Sequence, residues 1–191
     1  MNRQWMNALM LIAISGLVAA SAAAGFATAP KVGDKAREFD LAAIDGSRVT
    51  LSGELAHGSV VLVLGRGWPG YQCPFCTRQF GDFLSHAKEF EAAGARVVWV
   101  YPGPSNGLVE HAAEFIANTP LPANFRVLTD PDYRVTVVYG LRWESPGETA
   151  YPATFVVDRA SVVRFAQISN AHDGRATAAD VLKALAALPR K

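Results

Sequence analysis

The only two cysteines of the chain stand together as Cys73-Pro74-Phe75-Cys76, between a short apolar run and a helical pattern. The run Ser59-Val60-Val61-Leu62-Val63-Leu64 is β-branched and bounded by turn residues, as a buried strand is. Gly65, Gly67, Pro69 and Gly70 break the following connection. Phe80, Phe83, Leu84, Ala87 and Phe90 then recur at helical spacing up to Gly94, which fits a helix-ending position. Cys73 falls at the helix cap and Pro74 in its first turn, where a missing N–H costs nothing. Free backbone N–H groups and the positive end of the helix dipole favour a thiolate at Cys73. The spacing therefore predicts an exposed attacking sulfur at Cys73 and a more interior resolving sulfur at Cys76.

Other uses of the pair fit less well. A structural disulfide across so short a loop removes little entropy from the unfolded chain. A zinc site needs two further ligands, and His57, His86, His111 and His172 show no metal-type spacing. Covalent haem attachment needs a His after the second Cys, where this chain has Thr77. The pattern is that of a redox dithiol, with no metal and no cofactor called for.

The first residues have the form of an export signal. Arg3 precedes an apolar stretch from Ala8 to Val18, and small residues follow. Cleavage fits best after Ala22-Ala23-Ala24, because Pro30 would follow the other small-residue site, Ala27-Thr28-Ala29. Left uncut, residues 1–24 are long enough to act as a membrane anchor. Either way the remainder, residues 30–191, is expected to be periplasmic or anchored facing that space. In such an oxidising compartment a reducing dithiol needs a membrane or exported redox partner to renew it.

Removal of the signal leaves about 160 residues, enough for one domain with a full core. A formal charge of +1 gives no electrostatic case for nucleic acid. The element order is alternating. Asp45-Gly46 marks a hairpin between Phe39–Leu41 and Val49–Leu51. Further strands are expected at Arg96–Tyr101, Phe125–Leu128, Thr154–Val157 and Val162–Ile168. Helices are expected from Leu108 to Ile116, capped by Ser105 or Asn106, and from a Thr177/Asp180 capping box onward. Pro131–Tyr139 reads as a short helix or irregular segment. Together these give an α/β fold with a mixed central sheet, its dithiol at the carboxyl end of a strand.

Three stretches resemble the thioredoxin superfamily, and within it the redoxin branch of alkyl hydroperoxide reductase and thiol-specific antioxidant (peroxiredoxin-like) proteins. They are Val32–Leu41, Arg66-Gly67-Trp68 through Cys76, and Tyr151-Pro152-Ala153-Thr154-Phe155-Val156-Val157-Asp158. The resemblance implies a thioredoxin-like fold, a cis bond at Tyr151–Pro152, and a substrate-binding role for those two residues beside the dithiol. Typical peroxiredoxins carry Pro-x-x-x-Thr-x-x-Cys, which would put Thr at Gly70 and Pro at Arg66. They also carry an Arg where this chain has Pro152. Those groups would stabilise the leaving oxygen of a peroxide.

The leading expectation is an exported thiol–disulfide oxidoreductase acting on protein or small-molecule disulfides and thiols. The alternative is a two-cysteine peroxidase with antioxidant activity, in which Cys73 becomes a sulfenic acid and Cys76 condenses with it. A metal-delivery role, with His172 as a distant ligand, is a third. Arg66 and Arg78 are the cations nearest the dithiol in sequence, and Trp68, Tyr71 and Phe75 are candidates for a docking surface.

Overall fold

The computed structural model describes residues 28–70, 72–117 and 119–189. Residues 1–24 and Tyr71, which carry the export signal and one docking candidate, lie outside them. The elements are β1 (Asp40–Ala43), β2 (Arg48–Thr50), α1 (Leu51–His57), β3 (Ser59–Leu64), α2 (Pro74–Ser85), α3 (Ala87–Ala92), β4 (Ala95–Gly103), α4 (Leu108–Ile116), β5 (Phe125–Pro131), α5 (Arg134–Val138), β6 (Ala153–Val157), β7 (Val163–Ile168) and α6 (Ala178–Ala186).

Seven strands form one mixed sheet in the order β2-β1-β5-β4-β3-β6-β7. β3, β4 and β5 run parallel, while β1 against β5 and β6 against β3 run antiparallel. Apart from Ser59 and Arg96 near their starts, β3 and β4 are largely apolar because both faces of the sheet are covered. Val61, Val63, Val97, Trp99 and Tyr101 point to one face, packing with Phe80, Phe83, Phe90, Phe115 and Val181 from α2, α3, α4 and α6. The alternate residues Val60, Leu62, Leu64, Val98 and Val100 point to the other, against Leu51, Leu55 and Val135 of α1 and α5. The period of two along each strand sorts the core into these two layers.

Three local details differ from the sequence expectation. The strand read as ending at Leu51 stops at Thr50, whose side chain accepts a hydrogen bond from the Gly53 amide (3.0 Å) and starts α1. The long helix after Cys76 is interrupted at His86, whose Nδ1 lies 2.8 Å from the Asp82 carbonyl, so α2 and α3 are separate. Gly94, with φ +66°, then ends α3 as expected. The cap of α4 is Gly107 rather than Ser105 or Asn106, because Ser105 is held by the Asp132 carboxylate. The Thr177/Asp180 capping box is formed in full.

Candidate active site

The dithiol lies at the carboxyl end of β3, where the 65–72 connection turns into α2. Gly67 lies so close to the Pro102 carbonyl that a Cβ would stand 1.6 Å from its oxygen, so only glycine lets the connection pack on β4. Gln72 fixes the residue before the site: its Nε2 donates to the His111 carbonyl (2.9 Å), and Tyr101 donates its hydroxyl to Oε1 (3.0 Å). Cys73 is the N-cap of α2 with extended backbone, Pro74 follows in the first turn, and the Cys73 carbonyl accepts from the Thr77 amide (3.1 Å). The amides of Phe75 and Cys76 point toward the Cys73 sulfur without closing a capping hydrogen bond.

Both cysteines are free. Both are also buried, each only 2% exposed, which corrects the expectation of an exposed Cys73. Cys76 is enclosed by the Arg66 backbone, whose amide donates to its sulfur and whose carbonyl offers the thiol proton an acceptor alternative to the Cys73 sulfur, both at 3.3 Å. Cys73 is covered by an arginine that no local pattern announced. Arg175, in the segment between β7 and α6, places Nη2 3.8 Å from the Cys73 sulfur. Its Nε donates to the His172 carbonyl (2.7 Å) and its Nη1 to Gln79 Oε1 (3.3 Å). Gln79 is buried in turn, donating to the Ala176 carbonyl (3.0 Å) and Thr154 Oγ1 (3.3 Å).

These surroundings split the two sulfurs. A hydrogen bond from the Cys76 thiol, opposed by burial and aided by the helix amides and Arg175, brings the Cys73 pKa down to about 5. Burial, with the neighbouring thiolate, pushes Cys76 well above its ordinary value. One sulfur is ionised at neutral pH and the other keeps its proton. This is the asymmetry that a nucleophile and its resolving partner require.

A second network closes over the site from the loop before β6. Arg66 is buried and forms an ion pair with Glu148, and its Nη2 donates to the Gly147 carbonyl (2.9 Å). Glu148 also meets His172 Nε2 at 3.0 Å. Burial alone would raise the Glu148 pKa, but its bonds to Arg66 and His172 hold it below the usual carboxylate range. His172 thus serves this network, with its ring edge-on to Trp143 at 5.4 Å. Among the described residues no group of three His, Cys, Asp or Glu could hold a metal.

The other sequence candidates fall into place as follows. Arg78 is exposed and lies over the Phe75 ring, 5.2 Å from its centroid, rather than on a sulfur. Trp68 lies against the His111 ring, centroids 4.0 Å apart and planes tilted by 32°, and packs against the core. Tyr151 stacks on Trp143 at 4.8 Å and 10°. Ala153 pairs with Leu64, so Tyr151 and Pro152 lie at the dithiol end of the sheet. The expected cis bond is not formed, since no peptide among the described residues is cis. The Tyr151 amide donates to the Leu141 carbonyl and the Pro152 carbonyl accepts from Ser169. Those bonds carry the segment extended into β6, which suits the trans form favoured at most X–Pro bonds.

The Redoxin family model matches residues 31–185. The chain belongs to the redoxin family. Among solved structures, this redoxin is similar to peroxidoxin BcpB from Mycobacterium tuberculosis: TM-score 0.68 and 26% identity over 84% of this chain and 99% of that one. It is similar to a putative thiol:disulfide interchange protein DsbE from Chlorobium tepidum, with TM-score 0.60 and 26% identity over 82% of this chain and 99% of that one. A peroxiredoxin-like protein from Aquifex aeolicus shares the fold at TM-score 0.66, with 21% identity over 83% of this chain and 87% of that one. The search of curated proteins found no match. The thioredoxin-like α/β fold and thiol-based redox chemistry of this redoxin are thereby established. Among its described residues no helix is long and apolar enough to cross a membrane.

Proposed function

We propose that this redoxin is an exported thiol–disulfide oxidoreductase in which Cys73 attacks and Cys76 resolves. The observation that carries this reading is the placement of two free sulfurs one helical turn apart, Cys73 at the N-cap of α2 beside Arg175 and Cys76 held by the Arg66 backbone. The Cys73 thiolate attacks one sulfur of a substrate disulfide, the substrate S–S bond breaks, and the departing thiolate takes a proton. Cys76 then loses its proton and attacks the Cys73 sulfur, releasing the second substrate thiol and leaving a Cys73–Cys76 disulfide. Two electrons have passed from the protein to the substrate. The reverse sequence oxidises a dithiol.

The 1–24 segment supports export, with residues 30–191 as the working domain on the periplasmic side and a membrane or exported partner resetting the dithiol. Tyr151 and Pro152, at the dithiol end of the sheet, are proposed to contact the substrate through their backbone in a trans rather than a cis loop.

The second reading, a two-cysteine peroxidase, gains from one observation. Arg175 places a guanidinium beside Cys73, a charge of the kind that stabilises a leaving oxygen, although from a different place in the chain than the family's arginine. Stopped-flow mixing of the fully reduced protein with hydrogen peroxide and, separately, with a model disulfide decides between them. Fast disulfide reduction with slow peroxide reaction is the expected result, and the reverse order assigns the protein to the peroxidases.

A further inference from the structure

The groove beside the dithiol has the makings of a substrate subsite. It encloses about 490 Å³ between α2 and the segment from Asp173 to Ala179, and Phe75, Arg78, Gln79 and Arg175 line it together with Asp82 and Asp173. That is the size range of small-molecule pockets. Arg175 forms part of its wall and also touches the Cys73 sulfur, so the groove adjoins the reacting atom.

The charges in it are unevenly satisfied. Elsewhere Arg48, Arg66, Arg96, Arg126, Arg142 and Arg164 each pair with a carboxylate. Among the described residues Arg37, Arg134, Arg159, Arg78 and Arg175 form no ion pair, and of these Arg78 and Arg175 line this groove. Asp82, the carboxylate nearest in sequence to Arg78, is already committed to the Ala178 amide (2.7 Å) and to His86. Asp173 is exposed to water. Arg175 spends three of its five N–H groups on the His172 carbonyl, Gln79 and Cys73.

The reaction makes this imbalance larger. The Cys73 thiolate is the anion that faces Arg175 in the resting dithiol. Once the thiolate has attacked, its sulfur is a neutral member of a mixed disulfide and the guanidinium loses its counter-charge. An anion carried by the substrate, next to its own disulfide, would restore it with a charge-assisted hydrogen bond, and a carboxylate matches the guanidinium fork. Phe75 offers an apolar surface for the chain between the carboxylate and the sulfur.

We infer that this groove binds carboxylate-bearing low-molecular-weight disulfides, of the class of glutathione disulfide, with Arg175 and Arg78 as the residues that select them. The inference rests on the disulfide-exchange reading above and names the substrate class of the same dithiol.

The test follows the rates at which the reduced full chain reacts with three disulfides of different charge: the anionic glutathione disulfide, the neutral bis(2-hydroxyethyl) disulfide and the cationic cystamine. Each rate is divided by that of a free model thiolate with the same disulfide, which removes intrinsic reactivity. The corrected preference for glutathione disulfide over the neutral compound is expected to be about tenfold or more, with cystamine lowest. Arg78→Gln is expected to reduce that preference several-fold. Arg175→Gln is expected to slow all three and reduce it further, while Arg175→Lys recovers part of it. Arg159→Gln, at the far end of β6, removes the same charge and is expected to leave the preference as it is. Equal corrected rates in the unaltered protein, or a preference that survives both Arg78→Gln and Arg175→Gln, overturns the subsite and leaves disulfide exchange standing. Failure of every disulfide to oxidise the dithiol overturns both.

Discussion

Arg175 and Cys73 are 102 residues apart in the chain, and the guanidinium of one stands 3.8 Å from the sulfur of the other. The contact depends on Gln79 and the His172 carbonyl, which fix the guanidinium plane, and on Pro74, which lets α2 begin beneath the sulfur. It joins the helix cap to the edge strand, at the dithiol end of the sheet where β7 hands over to α6. Arg66, close to Cys73 in sequence, also interacts with its thiolate, but the Arg175 charge is a product of the tertiary fold.

The first prediction concerns pH. The rate of Cys73 alkylation by iodoacetamide is expected to rise with a midpoint near pH 5, where the thiol ionises. Linkage gives the sign for stability. Between about pH 5 and the ordinary thiol value of 9.0, the folded dithiol has lost a proton that the unfolded chain keeps. Stability of the reduced protein should therefore climb with pH through that window and fall away as pH drops toward 5. Above it, the reluctant ionisation of Cys76 acts in the opposite direction. Cys73→Ser is expected to flatten the rise in denaturant melts taken across the range. Arg175→Gln should move the alkylation midpoint up.

The second concerns the roles of the sulfurs. Cys76→Ser should leave Cys73 able to form mixed disulfides that persist on non-reducing gels, because nothing resolves them. Cys73→Ser should trap none, since the remaining sulfur is enclosed by the Arg66 backbone and keeps its proton. Equal trapping by both variants would show the assignment to be wrong.

The third concerns Gln79, a positioning residue. It is buried and bridges Arg175, Thr154 and the Ala176 carbonyl. Gln79→Ala is expected to cost about 1–3 kcal/mol, because those buried partners lose their bonds. A purely structural role would stop there. The positioning role adds a second readout: the alkylation midpoint of Cys73 should also rise, since Arg175 is no longer held against the sulfur.

What could be read from the sequence was what the chain encodes locally. The Cys73–Cys76 turn at a strand–helix junction, the Asp45-Gly46 turn and the Thr177/Asp180 box each involve neighbours in sequence, and each is present. The alternation of strands and helices gave the mixed sheet for the same reason. α1 was hidden because Leu51 continues the apolar alternation of β2, while Thr50 serves both as a strand residue and as a cap. The cap of α4 was misplaced because Ser105 has a distant partner in Asp132, 27 residues on. Arg78 was closer to the dithiol in sequence than Arg175, yet it faces outward, since only Cys76, Gln79, Phe80 and Phe83 of α2 turn inward. The burial of Cys73 was hidden for the same reason, because the residue covering it comes from the end of the chain. Nothing in the neighbourhood of Arg175 marks it as a partner of Cys73; the Thr177/Asp180 capping box that follows it anchors α6 and with it the segment that reaches the sulfur.

The fourth prediction concerns Glu148. Glu148→Ala leaves the Arg66 guanidinium buried without its counter-ion, and a loss of about 3 kcal/mol is expected. Arg66 also holds Cys76 through its amide and carbonyl, so loosening it should slow the resolving step. Single-turnover kinetics should then show mixed disulfide accumulating, with the first attack by Cys73 less affected. Unchanged resolution in a folded variant would show that the Arg66 backbone is held by the sheet alone.

The fifth addresses peroxide. The family's peroxide pocket needs a threonine three residues before the attacking cysteine, and this chain has Gly70 there. The structure supplies a reason. A Cβ on Gly70 would lie 3.0 Å from Arg66 Nη2 and 3.1 Å from the Gly147 carbonyl, so a side chain would press on the bond between them. The space that a peroxide-binding hydroxyl would need is taken by the arginine that braces the loop before β6. Reaction of the reduced protein with hydrogen peroxide is therefore expected to be at least 100-fold slower than in a dedicated peroxidase, by analogy with the loss of one oxyanion donor at about 10²–10³. Gly70→Thr should not restore it. That variant should instead weaken the Arg66–Gly147 contact and lower stability. Rapid, saturable oxidation of Cys73 by peroxide would mean that Arg175 performs the missing role from its own position, and Arg175→Gln would then abolish the fast phase.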